Sequence, residues 1–553
     1  MKRVFYPYFP RKPQNPRYPN VYFFEYVDGQ GIVIGNGVTE VQGSELIDVI
    51  KEGRSGAWFI TYGFEFLGEL MPHLIETFDK ISYIGTNSKM IYLEVGERRY
   101  YLIDLFQFFA KPLSEVTRAL GIEGDVIYSK THDTSKYVMT KALVIQEVWE
   151  RYANLLHNAF GIYPSKSPGA TALRTWATMA EHTIKPRGKR LTKFMRGGVS
   201  GGALHWRAGY YEEAYLYDIN ASYIQIMRET GYPLEVYPFR GGAPEMSKWI
   251  ATVKINYKSR YDFSPMAVRL YNQLIVHPQE AQETRVCLTH VDYALLSRFG
   301  EIELVEWVEG IEWNEEAPLF QAWAKKIERL SVSPANKLLL KITSRALHSK
   351  FAQRTNPYSE IIRVTGKEAA EANRVMEFYP LEDGKLAIRV LRKPHQQFRA
   401  WLRPDWEAIT LSLGRKALYE AMDTNTVYCD TDSLISTVRR NDLDVGACFG
   451  QWKLEQSGGC AIVGPRAYTI GDKIVLAGAS LVDTRHAGAS IVQVAQGGEG
   501  SRLQTKVRDA FTLQNHSIVY YNYPYVETRG NLAYITQSPT REEVIIPIRR
   551  YIS

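Results

Sequence analysis

Apolar and polar residues in the first third of the chain follow two periodicities, which predict short strands between amphipathic helices. The predicted strands are Val21–Val27, Ala57–Thr61, Met90–Val95 and Tyr100–Ile103. The predicted helices are Ser44–Lys51, Leu113–Leu120 and Val138–Asn158. Together these elements predict an α/β domain, which follows an N-terminal arm rich in proline and basic residues.

Longer elements are predicted in the rest of the chain. A strand over Ala214–Asn220 continues into a helix over Ala221–Met227. Ser333 as the N-cap and Pro334 at the first helical position predict a helix that ends near Gln353. The other predicted elements are hairpins over 357–395, a helix over Asp405–Met422, and C-terminal short strands with one helix, Thr505–Leu513.

Two acids interrupt one of the later apolar runs. The segment Tyr428-Cys429-Asp430-Thr431-Asp432-Ser433 has apolar neighbours on both sides, which predicts a buried hairpin with acids at its tip. Residues i and i+2 of a strand share a face, so Asp430 and Asp432 are expected to point the same way. Paired carboxylates repel unless a cation joins them, and Mg²⁺ prefers carboxylates plus substrate phosphates. The simpler alternative is an acidic turn between two strands.

Composition and charge narrow the classes of protein. The 553 residues, with a formal net charge of +7, indicate several domains and suit a polyanionic partner without requiring one. The four cysteines form no C-x-x-C pair, so we expect neither a zinc site nor a disulfide framework. We find no apolar run long enough to span a bilayer and no apolar signal core, and we expect a soluble protein of the cytoplasm.

Two other polar positions fit the same chemistry as the acidic hairpin. Asp218 ends an apolar strand, where an acid is either a partner of the helix N-terminus or a metal ligand. Lys337, Lys341, Arg345 and His348 recur at helical spacing on one face of the helix that begins at Pro334. A solvated basic stripe is the alternative. Acids that bind two Mg²⁺ ions and cations that neutralise a triphosphate are what nucleotidyl transfer requires.

A basic connector separates the two parts of the chain. Its cations are Lys185, Arg187, Lys189, Arg190, Lys193 and Arg196, and a glycine-rich segment, 197–202, follows them. Glycine lets backbone N–H groups approach phosphates, so contact with a nucleic-acid backbone is one expectation. An ordinary solvated surface is the other.

Three motifs together resemble the family B DNA polymerases of the protein-primed branch, found in phages and linear plasmids. Residues 218–223 (D-I-N-A-S-Y) resemble the first palm motif, D-x-N-S-L-Y-P, and residues 341–351 resemble the fingers motif, K-x-x-x-N-S-L-Y-G-K-F. Residues 428–433 match the third motif, Y-x-D-T-D-S, at every fixed position. Weaker matches are Arg196-Gly197-Gly198 to Y-x-G-G, Gly414-Arg415 to a template-contacting pair, and Arg466-Ala467-Tyr468 to K-x-Y.

The resemblance implies a multidomain α/β and α+β chain, in which a right-hand polymerase with palm, fingers and thumb follows an RNase H-like exonuclease-type domain. The expected division is an arm over 1–20, an exonuclease-like domain over 21–162, a connector and first palm segment over 163–234, a first insertion over 235–318, fingers over 319–354, a second insertion over 355–398, palm over 399–475 and thumb over 476–553.

The resemblance also implies roles for individual residues. Asp218, Asp432 and the Ile219 carbonyl would bind two Mg²⁺ ions, with Mn²⁺ as the alternative, and Asp430 would support them. The nucleotide would contact Lys341, with Ile219, Tyr223, Lys337, Arg345 and His348 around it. Tyr223 would reject a ribose 2′-OH. Primer and template would contact Arg196, Gly197, Gly198, Arg415, Arg466 and Tyr468.

The departures from the family motifs fall mainly in two places. In the fingers motif, Arg345-Ala346 replaces Asn-Ser and His348-Ser349 replaces Tyr-Gly, so we expect altered fidelity and nucleotide affinity. In the exonuclease-type domain, the positions of the four metal-binding acids correspond to Glu25, Val27, Glu65 and Lys141. Two acids are absent and two are longer by a methylene, so we expect the proofreading activity to be lost.

The expected partners are a DNA template and primer, dNTPs and a terminal protein that supplies the priming hydroxyl, and the expected protein is a monomer. One alternative is a primer-independent or damage-tolerant polymerase of the same family. Another is a non-catalytic nucleic-acid-binding protein descended from a polymerase. Retention of Asp218, Asp430, Asp432 and Lys341 argues against that last alternative.

Overall fold

The computed structural model divides the chain into two compact units, and each is described by itself. The first comprises Met1–Ala180, Lys325–Ala400 and Arg508–Ser517, and the second Glu181–Ala324, Trp401–Val507 and Ile518–Ser553. The structure describes residues 20–35, 37–64, 66–84, 89–122, 134–182, 184–269, 275–353, 358–364, 375–381, 386–392, 399, 401–464, 466–476, 489, 491–493, 495–496, 504–508, 518–522, 526–529 and 532–535. The predicted arm lies outside these residues up to position 19.

The described elements are numbered in chain order. The strands are β1 (Val21–Val27), β2 (Gln30–Ile34), β3 (Val38–Gln42), β4 (Trp58–Thr61), β5 (Lys80–Ile84), β6 (Met90–Val95), β7 (Arg98–Asp104), β8 (Leu204–Trp206), β9 (Gly209–Ile219), β10 (Tyr232–Pro233), β11 (Tyr237–Arg240), β12 (Lys248–Ser259), β13 (Val268–Arg269), β14 (Ile275–Val276), β15 (Glu280–Thr289), β16 (Gly300–Trp313), β17 (Glu316–Ala317), β18 (Tyr358–Val364), β19 (Val375–Pro380), β20 (Leu386–Arg392), β21 (Thr426–Asp430), β22 (Ser433–Ser436), β23 (Trp452–Gly464), β24 (Ala467–Ile470), β25 (Lys473–Leu476), β26 (Gln504–Arg508), β27 (Ile518–Asn522), β28 (Val526–Arg529) and β29 (Leu532–Ile535). The helices are α1 (Glu45–Glu52), α2 (Leu67–Thr77), α3 (Phe106–Phe109), α4 (Leu113–Leu120), α5 (Thr134–Phe160), α6 (Pro168–Ala177), α7 (Lys189–Met195), α8 (Ser222–Glu229), α9 (His290–Phe299), α10 (Gln321–Leu330), α11 (Pro334–Phe351) and α12 (Pro404–Ala421).

A ten-stranded sheet in the order β19-β20-β18-β5-β6-β7-β4-β1-β2-β3 forms the frame of the first unit. β4 is parallel to both β1 and β7, whereas the other pairs are antiparallel. Phe24, Phe59 and Leu102 lie fully buried on these central strands and belong to one apolar core. Parallel strands joined through helices confirm the predicted α/β character of this region.

Three strands from the predicted second insertion join that sheet. β18 pairs with β5 of the exonuclease-like region, so segments nearly 280 residues apart share one hydrogen-bonded frame. The Arg389 guanidinium stacks over the Tyr83 ring at 3.7 Å and donates from Nε to Ser359 Oγ at 2.6 Å. The division by motifs had separated these two regions because strand pairing over this range leaves no local signal in the sequence.

Helix α11, in the first unit, begins at the predicted proline and ends at Phe351, two residues before the expected end. Leu339, Leu340 and Leu347 are buried, and Thr343 hydrogen-bonds the Tyr152 hydroxyl at 2.5 Å. The opposite face carries Lys337, Lys341 and Arg345, which are exposed, and His348, which is half-buried. This arrangement confirms the prediction that these four residues lie on one face.

A seven-stranded antiparallel sheet in the order β25-β24-β23-β9-β22-β21-β8 forms the centre of the second unit. Tyr217 and Leu434 enter an apolar cluster that α12 shares, whereas their chain neighbours Leu216 and Ile435 enter a second cluster. The sheet is therefore buried on both faces, which explains why β21 and β22 are nearly continuous apolar runs. Asp218, Asp430 and Asp432 lie at or beside the ends of its strands.

A separate four-stranded sheet, β11-β16-β12-β15, occupies most of the predicted first insertion. Near the C-terminus, the predicted helix Thr505–Leu513 is wrong over its described part, since Gln504–Arg508 is a strand. Alternating Thr505 and Val507, both β-branched, favour that strand. Among the helices that the structure describes, none has the length and apolar character needed to cross a membrane.

Candidate functional site

The acidic hairpin forms as predicted, but its two acids do not lie in one strand. Asp430 ends β21 and pairs with Ser433, the first residue of β22, so Thr431 and Asp432 form a two-residue turn. Thr431 has a φ of 62°, and the Asp432 N–H donates to the Asp430 carbonyl at 2.7 Å. The strand rule that placed both carboxylates on one face therefore does not apply to Asp432, which lies in the turn.

Asp218 lies beside this hairpin. Its strand, β9, pairs with β22 so that Asp218 is opposite Ser433. The Ile219 N–H donates to the Asp432 carbonyl at 2.8 Å, which fixes the backbones of the two motifs to each other. The structure thus brings together Asp218, Ile219 and Asp432, which are separated by more than 200 residues in sequence.

The supporting acid, Asp430, has protein partners of its own. Arg466 donates from Nε to one carboxylate oxygen at 2.6 Å and from a terminal nitrogen to the other at 3.1 Å. The Thr431 hydroxyl donates to the same carboxylate at 2.8 Å. Its hydrogen bond with Asp430 raises the pKa of Arg466 above its usual range. The sequence contained both residues, but nothing in it indicated that they form a pair.

The oxygen atoms of Asp218, Asp432 and Ile219 are the donors that a divalent ion would find at this site. Among the described residues, no three His, Cys, Asp or Glu side chains lie close enough together to hold a metal ion. Two carboxylates and a backbone carbonyl remain in Asp218, Asp432 and Ile219. Mg²⁺ is commonly held by one or two carboxylates and completes its shell with waters and substrate phosphates, so this donor set fits it.

Tyr223 lies near these acids in the first turn of α8. Burial, followed by the negative charges of Asp432 and Glu407, raises the pKa of Tyr223 well above its usual value, so the phenol keeps its proton. A Cβ atom at Gly414 of α12 would lie 3.1 Å from Tyr223 Cε1. Glycine at 414 therefore leaves room for the Tyr223 ring, and its contact with a nucleotide sugar stays a prediction.

Gly202, in the basic connector, packs against the hairpin tip. A Cβ atom there would lie 2.6 Å from Thr431 Oγ1 and 2.8 Å from Thr431 Cα, and the Thr431 N–H donates to the Ala203 carbonyl at 2.8 Å. Glycine is required because the two backbones approach closely. The predicted function of these glycines was phosphate contact, whereas Gly202 supports the acidic turn.

Substituting Gly202 by alanine should destabilise the second unit by about 1–3 kcal/mol, because the added methyl group overpacks the hairpin tip. Thermal unfolding of the full chain measures this change. Gly201→Ala is the matched control, since its Cβ would meet only Ile275 Cδ1 at an ordinary 3.7 Å. Equal unfolding temperatures for the two variants would show that the Gly202–Thr431 approach is not required.

Several predicted DNA contacts lie inside the fold. Arg415 is 1% exposed and donates to Asp292 at 2.7 and 3.1 Å and to the carbonyls of Ser200 and Gly201. Arg196 is buried, and Gly197 and Gly198 pack close to Cys287. These contacts hold residues 200 and 201 to α12, and the contact of Arg415 with a template stays a prediction.

Other cations of the connector also have acidic partners. Arg187 forms an ion pair with the buried Asp405 at 2.9 Å, and Lys185 pairs with Glu235. Arg190 lies 4.0 Å from Glu309. A good part of the positive charge in this run therefore fastens the connector to its own unit, and contact with phosphates stays a prediction for the remainder.

Arg466 and Tyr468, the predicted primer contacts, lie in the turn before β24 and in β24 itself. The Arg466 N–H donates to the Tyr428 hydroxyl at 3.1 Å, and Arg466 has a φ of 54°. Tyr468 is buried, and its ring lies 4.8 Å from that of Tyr428. Tyr468 thus supports the strand that carries Asp430, and contact with a primer stays a prediction.

His205, on the edge strand β8, predicts an acid sensitivity of the second unit. It is 4% exposed, and burial lowers its pKa from 6.5 to about 4, although Asp262 opposes this shift. On acidification the unfolded chain binds the proton first, because its histidine has the ordinary pKa of 6.5. The stability that neutral His205 contributes is therefore complete above that pKa and decreases as the pH falls towards the folded pKa of about 4.

We therefore expect His205 to lower the free energy of unfolding by about 2 kcal/mol between about pH 7 and pH 5. Urea unfolding of wild type and His205→Leu at both pH values measures this contribution. The variant should lose less stability on acidification. The same pH dependence in both proteins would contradict the expectation.

In the first unit, two of the positions expected to correspond to exonuclease acids form an ion pair with each other. Lys141 on α5 contacts Glu25 on β1 at 2.7 Å, and the side chains are 14% and 8% exposed. The Thr61 hydroxyl lies 3.4 Å from the other Glu25 oxygen. Val27 is half-buried near the end of β1, and Glu65 lies outside the described residues. The Lys141 ammonium thus neutralises the Glu25 carboxylate.

A second buried acid near this pair, which the sequence did not single out, is also neutralised. Asp104 ends β7 opposite Thr61 and is fully buried. It accepts from Lys89 Nζ at 2.6 Å and from the N–H groups of Gly63 and Phe106 at 2.9 Å. The signal was present, since Asp104 ends an apolar strand as Asp218 does.

The chain is similar in sequence to DNA polymerases of phages over part of its length. No family model matches the chain. DNA polymerases of Bacillus phages B103 and Nf are 24% and 23% identical to it over 273 residues, which is 45% of this chain and 43% of each relative. The matched part thus spans less than half the length of those relatives.

Solved structures match over most of the chain. Phi29 DNA polymerase complexed with single-stranded DNA gives a TM-score of 0.63 at 15% identity and covers 82% of this chain and 87% of its own. Its complex with primer-template DNA and incoming nucleotides gives 0.66 at 16% identity, covering 84% and 93%. The chain therefore has the fold of that multidomain, right-hand polymerase with an exonuclease-type domain.

Proposed function

We propose that this chain, which shares the fold of phi29 DNA polymerase, is a template-directed DNA polymerase that adds deoxynucleotides to a 3′ hydroxyl. The observation that carries the proposal is the junction of Asp218, Ile219 and Asp432 at one end of the palm sheet, fixed by the 2.8 Å bond between Ile219 and Asp432. The similarity to phage DNA polymerases supports it.

Different residues of the chain would bind the metal ions, the sugar and the triphosphate. Asp218 and Asp432 would hold two Mg²⁺ ions, which when bound stabilise charge on the attacking and leaving oxygens. Tyr223 would lie under the incoming sugar and exclude a 2′-OH. The exposed cations Lys337 and Lys341 of α11 would hold the triphosphate through charge-assisted hydrogen bonds.

The altered fingers motif would change how well the nucleotide is held. Arg345 is exposed on α11 and adds a cation to the Lys337–Lys341 face. His348 is half-buried and presents a smaller ring than the tyrosine of the family motif. We expect synthesis to persist, with reduced fidelity, because Lys341 and the acids remain.

We further propose that synthesis is protein-primed. The insertions at 235–318 and 355–398 are the regions that distinguish the protein-primed branch in the resemblance, and a terminal protein would supply the first hydroxyl. We infer that the protein acts as a monomer on DNA in the cytoplasm of a host cell. A primer-independent or damage-tolerant polymerase is the alternative, and the loss of nuclease acids favours the second of these.

An extension assay separates these proposals. Purified protein, Mg²⁺ and dNTPs are incubated with a primed strand, and separately with a bare strand plus a candidate terminal protein. Extension of the primed strand supports a polymerase, and a nucleotide attached covalently to the added protein supports protein priming. Absence of incorporation in both would favour a non-catalytic nucleic-acid-binding protein.

We also propose that the exonuclease-type domain has lost proofreading, because the Lys141 ammonium already neutralises Glu25. Incubation with Mg²⁺ and a strand labelled at its 5′ end should leave the 3′ end intact over many polymerase turnovers. Shortening from the 3′ end that Glu25→Ala abolishes would overturn this proposal. Shortening that persists in that variant would instead indicate a contaminating nuclease.

A further inference from the structure

The pair formed by Asp430 and Arg466 suggests more than static support for the palm. Asp430 ends β21, beside the turn that contains Asp432, and its carboxylate accepts from three donors: two nitrogens of Arg466 and the Thr431 hydroxyl. The Arg466 guanidinium neutralises this carboxylate, which weakens its attraction for any other cation. Asp430 would therefore contribute its full charge to metal binding after Arg466 leaves it.

The geometry of Arg466 allows that exchange. Its backbone is fixed by the bond from its N–H to the Tyr428 hydroxyl, while its side chain is 57% exposed. Asp430 in the same pair is 19% exposed. Ion pairs with an exposed member contribute little because water and salt compete with them. The long side chain can therefore leave Asp430 while the turn stays in place.

A DNA phosphate is a suitable competitor for the guanidinium. Arginine binds phosphate through the same two-nitrogen fork that it uses for carboxylate, and lysine at this position could not form that fork. Building on the proposed polymerase function, we propose that Arg466 is a positioning residue that holds Asp430 away from the metal ligands until primer-template DNA takes its guanidinium.

This exchange would couple two binding events. DNA that takes Arg466 adds the Asp430 charge to the field of Asp218 and Asp432, so the palm should bind divalent ions more tightly. Linkage requires the reverse as well, so divalent ions should tighten DNA binding by the same factor. We expect a factor of about five or more, the lower end of typical coupling between sites.

The coupling is measured by titrating the full chain with Mn²⁺ and following free Mn²⁺ by electron paramagnetic resonance, with and without primer-template DNA. Wild type should bind Mn²⁺ about fivefold more tightly with DNA. Arg466→Gln should bind tightly without DNA and gain nothing from it. Asp430→Asn should bind weakly in both states. Arg466→Lys keeps the charge but loses the fork, so it should show reduced coupling.

Arg439→Gln is the matched control, because Arg439 is an exposed cation of the same unit, beyond the end of β22. It should retain the coupling of wild type, which separates the exchange from a simple loss of positive charge. Undiminished coupling in both Arg466 variants would overturn the inference, as would its absence in wild type. Coupling in a wild type that extends no primer would instead refute the polymerase proposal alone.

Discussion

Asp432→Asn should lower the rate of primer extension by about a thousandfold, since a lost metal-binding carboxylate removes several kcal/mol of transition-state stabilisation. The amide has the same shape as the carboxylate, and the contact of residue 432 with Ile219 uses the backbone carbonyl. The hairpin should therefore fold normally. Single-turnover extension with saturating DNA and dNTP measures the chemical step directly.

The matched control for that experiment is Asp472→Asn. Asp472 is an exposed acid in the turn between β24 and β25 of the same sheet and is not one of the proposed ligands. It should extend primers at the wild-type rate. If Asp432→Asn loses less than about tenfold, residue 432 does not bind a catalytic metal ion.

Lys141→Ala should destabilise the first unit by about 3–5 kcal/mol, because it leaves the Glu25 carboxylate buried without its cation. The two side chains are 14% and 8% exposed, so water can replace the ammonium only in part. Urea unfolding followed by tryptophan fluorescence measures the loss. Trp149 lies on the same helix and is fully buried, which gives a signal from this unit.

A double variant separates the ion pair from simple loss of packing. Lys141→Met with Glu25→Gln removes both charges and keeps the volume, so it should recover most of the stability that Lys141→Ala loses. Lys136→Ala, at an exposed position of the same helix, should change stability by less than about 0.5 kcal/mol. Equal losses for Lys136→Ala and Lys141→Ala would contradict a structural role for the pair.

The acids of the two units are held in different ways. In the second unit, the segments that carry Asp218 and Asp432 are fixed to each other by the bond from the Ile219 N–H to the Asp432 carbonyl. In the first unit, lysine side chains already neutralise Glu25 and Asp104. A carboxylate that is paired with a lysine ammonium does not require Mg²⁺. The pairs in the first unit therefore suit stability, whereas the arrangement in the second unit suits catalysis.

Elements with strong local signals could be predicted from the sequence. β1, β6 and α4 have the predicted bounds, and α11 begins at its predicted proline. Apolar periodicity and helix-start residues act within a few residues, so a single sequence contains them. The predicted helix near Thr505 is wrong over its described part because its β-branched residues favour a strand.

The site was predictable as a set of residues but not as a geometry. The motifs identified Asp218, Asp430 and Asp432, while the turn at Thr431 and the pair of Asp430 with Arg466 depend on contacts between distant segments. Long-range strand pairing, as between β5 and β18, is equally invisible locally. The burial of Arg415 is a further case, since exposure follows from the tertiary fold.

Template-directed incorporation by the wild-type protein is the property that distinguishes a polymerase from a non-catalytic nucleic-acid-binding protein. Four primed strands that differ only in the first unpaired template base are each offered the four dNTPs separately, with Mg²⁺. We predict addition of the complementary deoxynucleotide on every strand, little addition of the matching ribonucleotide, and none without template. No incorporation on any strand, or incorporation that ignores the template base, would contradict the account.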